Sequence, residues 1–194
     1  CWAFGNMAAL ESALLRYTNK TYSLSVNNMQ NLMLKFSKYG SDTIEEGGNP
    51  FTSIAYLIDW LGVFDGEYEE YDEMGKISQF FGTTDNIHIQ NVVAIPPLRT
   101  DADRNLLKNA LINYGAVAVS HHADFNESKY FNKTSFAQYC YDQTDSTHRV
   151  CVVGWDDNYS RNNFLKTPEG DGAWIVKNSW GTGWGDGGYF YISY

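Results

Sequence analysis

The chain has 194 residues, 43% of them hydrophobic and 16% aromatic, which suits one compact domain or two small lobes and argues against wholesale disorder. Its 14 Lys plus Arg against 23 Asp plus Glu give a net charge of -9, a balance that repels phosphate backbones and argues against nucleic acid as a partner. No apolar run approaches the ~20 residues of a membrane span. Three cysteines are too few, and odd in number, for the disulfide framework of a small secreted domain.

In chain order, residues 2 to about 17 carry Ala3, Met7, Leu10 and Leu14 at helical spacing. Ser25 can cap a second helix reaching about residue 38, with Met29, Leu32, Met33 and Phe36 on one side. Asn49-Pro50 starts a third, through Ile54, Leu57, Ile58 and Leu61, and Gly62 stops it. Residues 88–95 read as a strand ending at Pro96-Pro97. Asp101 caps one more helix, with Leu106, Leu107, Ala110 and Leu111, closed by Gly115. Residues 116–120, 148–155, 173–177 and 188–193 are short apolar runs between turn-rich stretches. Helices first and strands second predict an α+β protein with two lobes: residues 1–86 mainly helical, 87–194 mainly β-rich.

Three residues invite a chemical reading. Cys1 stands just before a helix, whose N-terminus favours a thiolate. His148 opens an apolar strand, and Asn178 follows another. Each alone has an ordinary reading: a cysteine at a helix start, a satisfied structural histidine, the start of a turn. Together they supply a nucleophile, a proton acceptor and a group that orients the acceptor's ring. The 147 residues from Cys1 to His148 fall within the known papain-type spacing of about 130–150.

Cys1-Trp2-Ala3-Phe4 resembles the opening of the central helix of papain-like cysteine peptidases, the cathepsin group. Val152-Val153-Gly154-Trp155 after His148 is similar to the family's histidine strand, and Asn178-Ser179-Trp180-Gly181, with Gly183-Trp184-Gly185 and Gly188-Tyr189, to its asparagine block. Leu24-Ser25 and Gly47-Gly48 fall in family-like places, and the matches run in order along nearly the whole chain. Residues 155–159 and the polar insertion after them resemble prokaryotic, surface-associated members, which implies a secreted or cell-surface location.

The resemblance implies a papain-like two-lobe fold: a helical N-terminal lobe, a β-barrel-like C-terminal lobe and an active-site cleft between them. Cys1 would be the nucleophile, His148 the base and Asn178 its orienting partner, with Trp180 covering the His–Asn bond. Gly47 and Gly48 would let a substrate backbone approach. Pro50 and Val119 would line an apolar pocket for the side chain two residues before the cut, with Thr147 and Ala173 contributing. The reaction would be hydrolysis of a peptide or isopeptide bond through an acyl-enzyme, without a cofactor. A peptide or protein would be the substrate, and an inhibitory prodomain a partner. The family also carries an oxyanion-hole glutamine about six residues before the nucleophile, a place this sequence does not reach. Losing such a donor costs ~2.7–4 kcal/mol in the transition state. The family's cysteine before the glycine pair is replaced by Glu45 and Glu46.

Two other readings stay open. An N-terminal-nucleophile amidase would use the α-amine of Cys1 as base, but its fold needs stacked sheets from the start of the chain. A binding or adhesion module would keep the scaffold without catalysis. Elsewhere the readings are plain. His121-His122 is a strand end or loop without a third metal ligand. The acidic run at 67–73, with Glu69, Glu70 and Asp72, is a solvated loop without a calcium-loop pattern. Cys151 fits the core of a strand better than a bridge to Cys140. Asn19, Asn126, Asn132 and Asn158 begin glycosylation-type triplets of the sort polar loops produce by chance.

Overall fold

The computed structural model describes residues 1–35, 37–40, 43, 47–68, 70–71, 87–126 and 129–194. Phe36 of the expected second helix, Glu45 and Glu46, Glu69, Asp72 and Glu73 of the acidic run, and residue 86 at the expected lobe boundary lie outside the described residues. The chain divides into two compact units, Cys1–Ala94 and Ile95–Tyr194.

In the first unit, α1 spans Trp2–Thr18 and ends where Asn19 turns left-handed at φ 55, its N–H donating to the Leu15 carbonyl. α2, Val26–Leu32, starts where the Ser25 hydroxyl accepts the Asn28 N–H at 3.1 Å. Its last residue is Leu32, with Met33 as cap, short of the expected end near residue 38. There the chain folds back so tightly that a Cβ on Gly40 would lie 2.2 Å from the Leu34 carbonyl oxygen.

α3, Pro50–Ile58, opens on a reciprocal cap: Asn49 Oδ1 accepts the Thr52 N–H at 3.2 Å, and Thr52 Oγ1 accepts the Asn49 N–H at 3.3 Å. It ends before Gly62 because Trp60 takes φ 55. Leu61 therefore leaves the helix but stays in the core.

The three helices share an apolar interior of Met7, Met29, Leu32, Tyr56 and Leu57. The buried Tyr56 hydroxyl donates to Asn28 Oδ1 at 2.5 Å, so neither polar group is stranded. Residues 88–95 join no strand pairing among the described residues, where a strand was expected. Ile87 and Ile89 lie against the helical core, and Val63 N–H donates to the Ile87 carbonyl at 3.3 Å, which ties the start of this segment to the first unit, while Ile95 packs against the core of the second.

The second unit packs a helix on a sheet. α4, Asp101–Tyr114, is capped by Thr100 rather than Asp101: Thr100 Oγ1 accepts the Asp103 N–H at 3.2 Å, and Asp103 Oδ2 accepts the Thr100 N–H at 2.9 Å. Six strands follow, β1 Val117–His121, β2 Phe131–Asn132, β3 Ala137–Gln138, β4 His148–Asp156, β5 Ala173–Lys177 and β6 Tyr189–Ser193. Their order is β1-β4-β5-β6-β3-β2, antiparallel except between β3 and β6. Among the described residues the sheet stays open, with β1 and β2 at its edges, where a barrel-like lobe was expected. β2 and β3, two residues each, were not anticipated, because so short a strand cannot show period-two alternation.

Alternation sorts the two faces. Val150, Val152, Trp174, Val176 and Phe190 pack with Leu107 and Leu111 of α4. Ala137, Phe164 and Ala173 form a smaller cluster with Tyr159 and Tyr191. Cys151 is core as expected, 1% exposed, and all three cysteines are free, so the Cys140–Cys151 bridge does not form.

Candidate active site

His148 is the first residue of β4, and Asn178 follows the last residue of β5, β4's neighbour in the sheet. Strand parity puts His148 on the face of Val150 and Val152, and Asn178 on that of Trp174 and Val176, which is the same face. The two side chains meet: His148 Nε2 lies 2.9 Å from Asn178 Oδ1, and both residues are buried.

The direction of that bond is decided by a neighbour. The Ser179 backbone N–H, which can only donate, reaches the same Oδ1 at 2.8 Å. The amide oxygen therefore faces this cluster, and Nε2 must carry the proton it donates. In the neutral ring, Nδ1 is then the nitrogen with a free lone pair.

Asn178 is further fixed by its own N–H, which donates to the Gly188 carbonyl at 3.0 Å. Burial pushes the His148 pKa below its ordinary value, and the bond to Asn178, which favours the charged ring, works the other way.

Aromatic rings wall the pair. Trp180 lies 5.2 Å from the His148 ring, centroid to centroid, and meets Trp184 edge-on at 5.1 Å. Phe125 touches both sides of this wall, 6.2 Å from His148 and 5.2 Å from Trp180. Trp180 itself is 49% exposed, so one side of it remains open to solvent.

Opposite His148 in the β1–β4 register stands His121, its ring edge-on at 5.7 Å. Part of the residue is accessible, yet its Nε2 is shut off from solvent and has no hydrogen-bond partner among the described residues. Burial, and secondarily the charge of His148, push the His121 pKa down to about 3. The expectation of a strand end describes His121, the last residue of β1; its place beside His148 follows only from the register. His122 turns away to Asp145, Nδ1 to Oδ1 2.8 Å, and no cluster fit to hold a metal is present among the described residues.

An open hollow of about 350 Å³ runs beside His148, walled by the loop 123–126, Thr147 and Trp180. Thr147 ties the loop to the strands: its Oγ1 accepts the Ala123 N–H at 2.9 Å, and its own N–H donates to the His121 carbonyl at 3.0 Å. The sequence reading missed Asp124 and Phe125 and gave Asn126 only a chance glycosylation-type triplet; all three lie in a loop without periodicity. Val119 sits on β1 against the sheet core. Ala173 is wholly buried at the far end of β5 from Asn178, so the expected pocket role does not fit it.

The first unit holds the remaining candidates. Cys1 is exposed and free, immediately ahead of a 17-residue helix, and its side chain makes no capping bond. The helix's first turn has no acidic residue to oppose an anion there. Gly47 is exposed with φ +63, and a Cβ there would meet nothing within 4 Å. Gly48 is glycine for another reason: a Cβ would sit 2.4 Å from the Trp2 ring. Pro50 is the first residue of α3.

Known proteins agree with this architecture. The papain family cysteine protease profile matches residues 1–194, and the chain belongs to that family. A cathepsin L-like peptidase of Aedes aegypti is 31% identical over 97% of this chain and 51% of its own length, and mouse pro-cathepsin H is 29% identical over 99% and 53%. Among solved structures, the cysteine protease and lectin-like domains of Cwp84, a surface layer associated protein of Clostridium difficile, align with a TM-score of 0.79 at 34% identity, over 100% of this chain and 42% of that one. Digestive procathepsin L 3 of Tenebrio molitor aligns with a TM-score of 0.66 at 25% identity, over 98% and 56%. The chain thus spans about half the length of the curated relatives it matches. Cys1 heads a helix, unlike the opening strand that an N-terminal-nucleophile amidase requires.

Proposed function

We propose that this chain carries the catalytic machinery of a cysteine endopeptidase, with Cys1 as nucleophile, His148 as general base and acid, and Asn178 as the group that holds His148. The observation that supports this most is the 2.9 Å bond from His148 Nε2 to Asn178 Oδ1, which leaves Nδ1 as the proton-accepting nitrogen. Nδ1 takes the thiol proton, and the Cys1 thiolate attacks an amide carbonyl of a peptide or isopeptide. The imidazolium returns that proton to the leaving amine. Water, deprotonated by the same nitrogen, then hydrolyses the thioester. Gly47 and Gly48 offer backbone for a peptide to lie on, Pro50, Val119 and Thr147 are candidate contacts for its side chains, and Trp180 keeps water from the His148–Asn178 bond.

A peptide or protein is the substrate, and no step needs a cofactor. Procathepsins among the relatives make an inhibitory prodomain a natural partner. A secreted or cell-surface location fits the likeness to a surface layer associated protein. No helix among the described residues is long and apolar enough to cross a membrane.

The test is labelling with an epoxysuccinyl peptide and mapping of the modified residue. Rapid labelling at Cys1 that His148→Ala abolishes is the expected result. A folded protein that leaves Cys1 unlabelled overturns the reading in favour of a binding module.

A further inference from the structure

We infer that His121 is a positioning residue of the peptidase site, a neutral ring whose unshared lone pair favours the charged form of its neighbour His148. The inference rests on the peptidase reading, in which His148 becomes an imidazolium when it takes the Cys1 proton.

His121 stands where the strand calls for an apolar side chain. Val117, Val119 and His121 alternate onto one face of β1, and the two valines pack on the sheet core. The His121 ring packs there too, 5.6 Å from Phe190, 6.0 Å from Phe125 and 5.7 Å from His148, centroid to centroid. A polar atom in such a place destabilises the fold unless something meets it. His121 Nε2 is that atom, closed to solvent and without a hydrogen-bond partner among the described residues. Of the three rings around it, only His148 can gain a charge.

The tautomer of His121 follows from its bonds. A hydrogen bond to the His122 backbone favours the protonated ring, so the ring donates there, to a carbonyl. Nε2 has no partner, so the donor is Nδ1, and Nε2 keeps the lone pair of the neutral ring. An imidazolium on His148 brings a positive charge to this electron-rich neighbour, and a neutral His148 brings none. The same bonds decide which histidine is charged. His148 Nε2–H has an acceptor in Asn178, whereas a proton on His121 Nε2 would have none. Burial, and then the charge of His148, hold the His121 pKa at about 3, so His121 stays neutral well above that pH.

Other charged groups of the second unit are placed differently. Arg149 and Lys177 lie on the opposite face of the sheet, and His122 is held by Asp145. Asp124 lines the hollow beside His148 and favours its charge in the same sense, so the test varies His121 alone.

Two readouts make that test: ring NMR of His148 in a Cys1→Ala background, and the pH profile of kcat/KM in the active protein. His121→Phe and His121→Leu both remove the lone pair while differing in shape. Each is expected to lower the His148 titration by about half a pH unit and to move the alkaline limb of kcat/KM, where His148 loses its proton, down by as much, about threefold on that limb. His121→Gln returns an acceptor close to the place of Nε2 and is expected to restore most of the shift. A role confined to packing would lower kcat/KM alike at every pH and leave the titration unmoved, which overturns the inference. An upward shift in the two apolar variants overturns it as well. A labelled Cys1 with an unmoved titration overturns the inference alone, whereas a Cys1 that the epoxysuccinyl peptide leaves unlabelled overturns the peptidase reading and the inference together.

Discussion

At the scale of single residues, the site turns on one proton. Ser179 N–H and His148 Nε2–H converge on Asn178 Oδ1, so the asparagine fixes which ring nitrogen is protonated. Removing it withdraws a bond that favours the charged ring, while burial continues to oppose that charge. Asn178→Ala is therefore expected to shift His148 titration, followed by ring NMR in a Cys1→Ala background, to lower pH than in Cys1→Ala alone. It is also expected to lower kcat/KM ten- to hundredfold, the equivalent of about 1.5–3 kcal/mol for a bond to a charged group. An upward shift would mean the ring leans on something else. The glycine pair allows a second comparison. Gly48→Ala drives a methyl into the Trp2 ring, next in sequence to Cys1, and should cost about 1–3 kcal/mol in urea denaturation. Gly47→Ala meets empty space and only the strain of φ +63, so about 1 kcal/mol is expected.

At the scale of elements, the caps make the sharpest test. Asp101 lies inside α4, and Thr100 does the capping. Thr100→Ala should cost about 1 kcal/mol of stability and Asp101→Ala a few tenths, measured by urea denaturation. The reverse order would restore Asp101 as the cap. The one-residue offset illustrates what was legible in the sequence and what was not. Asp and Thr are both good caps, and only the reciprocal bond from Asp103 separates them. The four longer strands were visible as short apolar runs between turn-rich stretches, and the His148–Asn178 pair because each closes or opens such a strand. The early end of α2 was not visible, since it comes from Gly40 returning against the Met33–Leu34 backbone, a contact no local pattern encodes. Nor was the His121–His148 pairing, which depends on how β1 registers on β4. Asp124 escaped notice for the same reason: a loop residue gains its place in the hollow from what the neighbouring strands bring beside it.

At the scale of the whole molecule, two neighbouring histidines, buried His148 and partly accessible His121, set how stability responds to acid. An unfolded histidine binds a proton near pH 6.5. Folded His121 does so only near 3, because burial and the neighbouring His148 disfavour its charge, and the His148 pKa is lowered in the same sense. Below 6.5 the unfolded chain therefore holds protons that the folded chain refuses, and stability falls as pH falls, by at most about 1.4 kcal/mol per pH unit for each histidine. The lowered carboxyls of Asp103, Asp142 and Asp157 act with the same sign, but only near and below their ordinary pKa of 3.8. The window from pH 6.5 to about 4.5 thus belongs mainly to the histidines. A net charge of -9 pulls the other way, since acid relieves its self-repulsion. That repulsion is spread over the surface and screened at about 8 Å in 0.15 M salt, whereas the histidine term arises in the interior, where salt does not reach. In 0.15 M salt the urea midpoint is therefore expected to drop between pH 6.5 and 4.5. His121→Leu should flatten that slope even if it changes the midpoint at neutral pH, because leucine has no proton to refuse. A midpoint that holds level or rises on acidification would show that surface repulsion outweighs the two histidines.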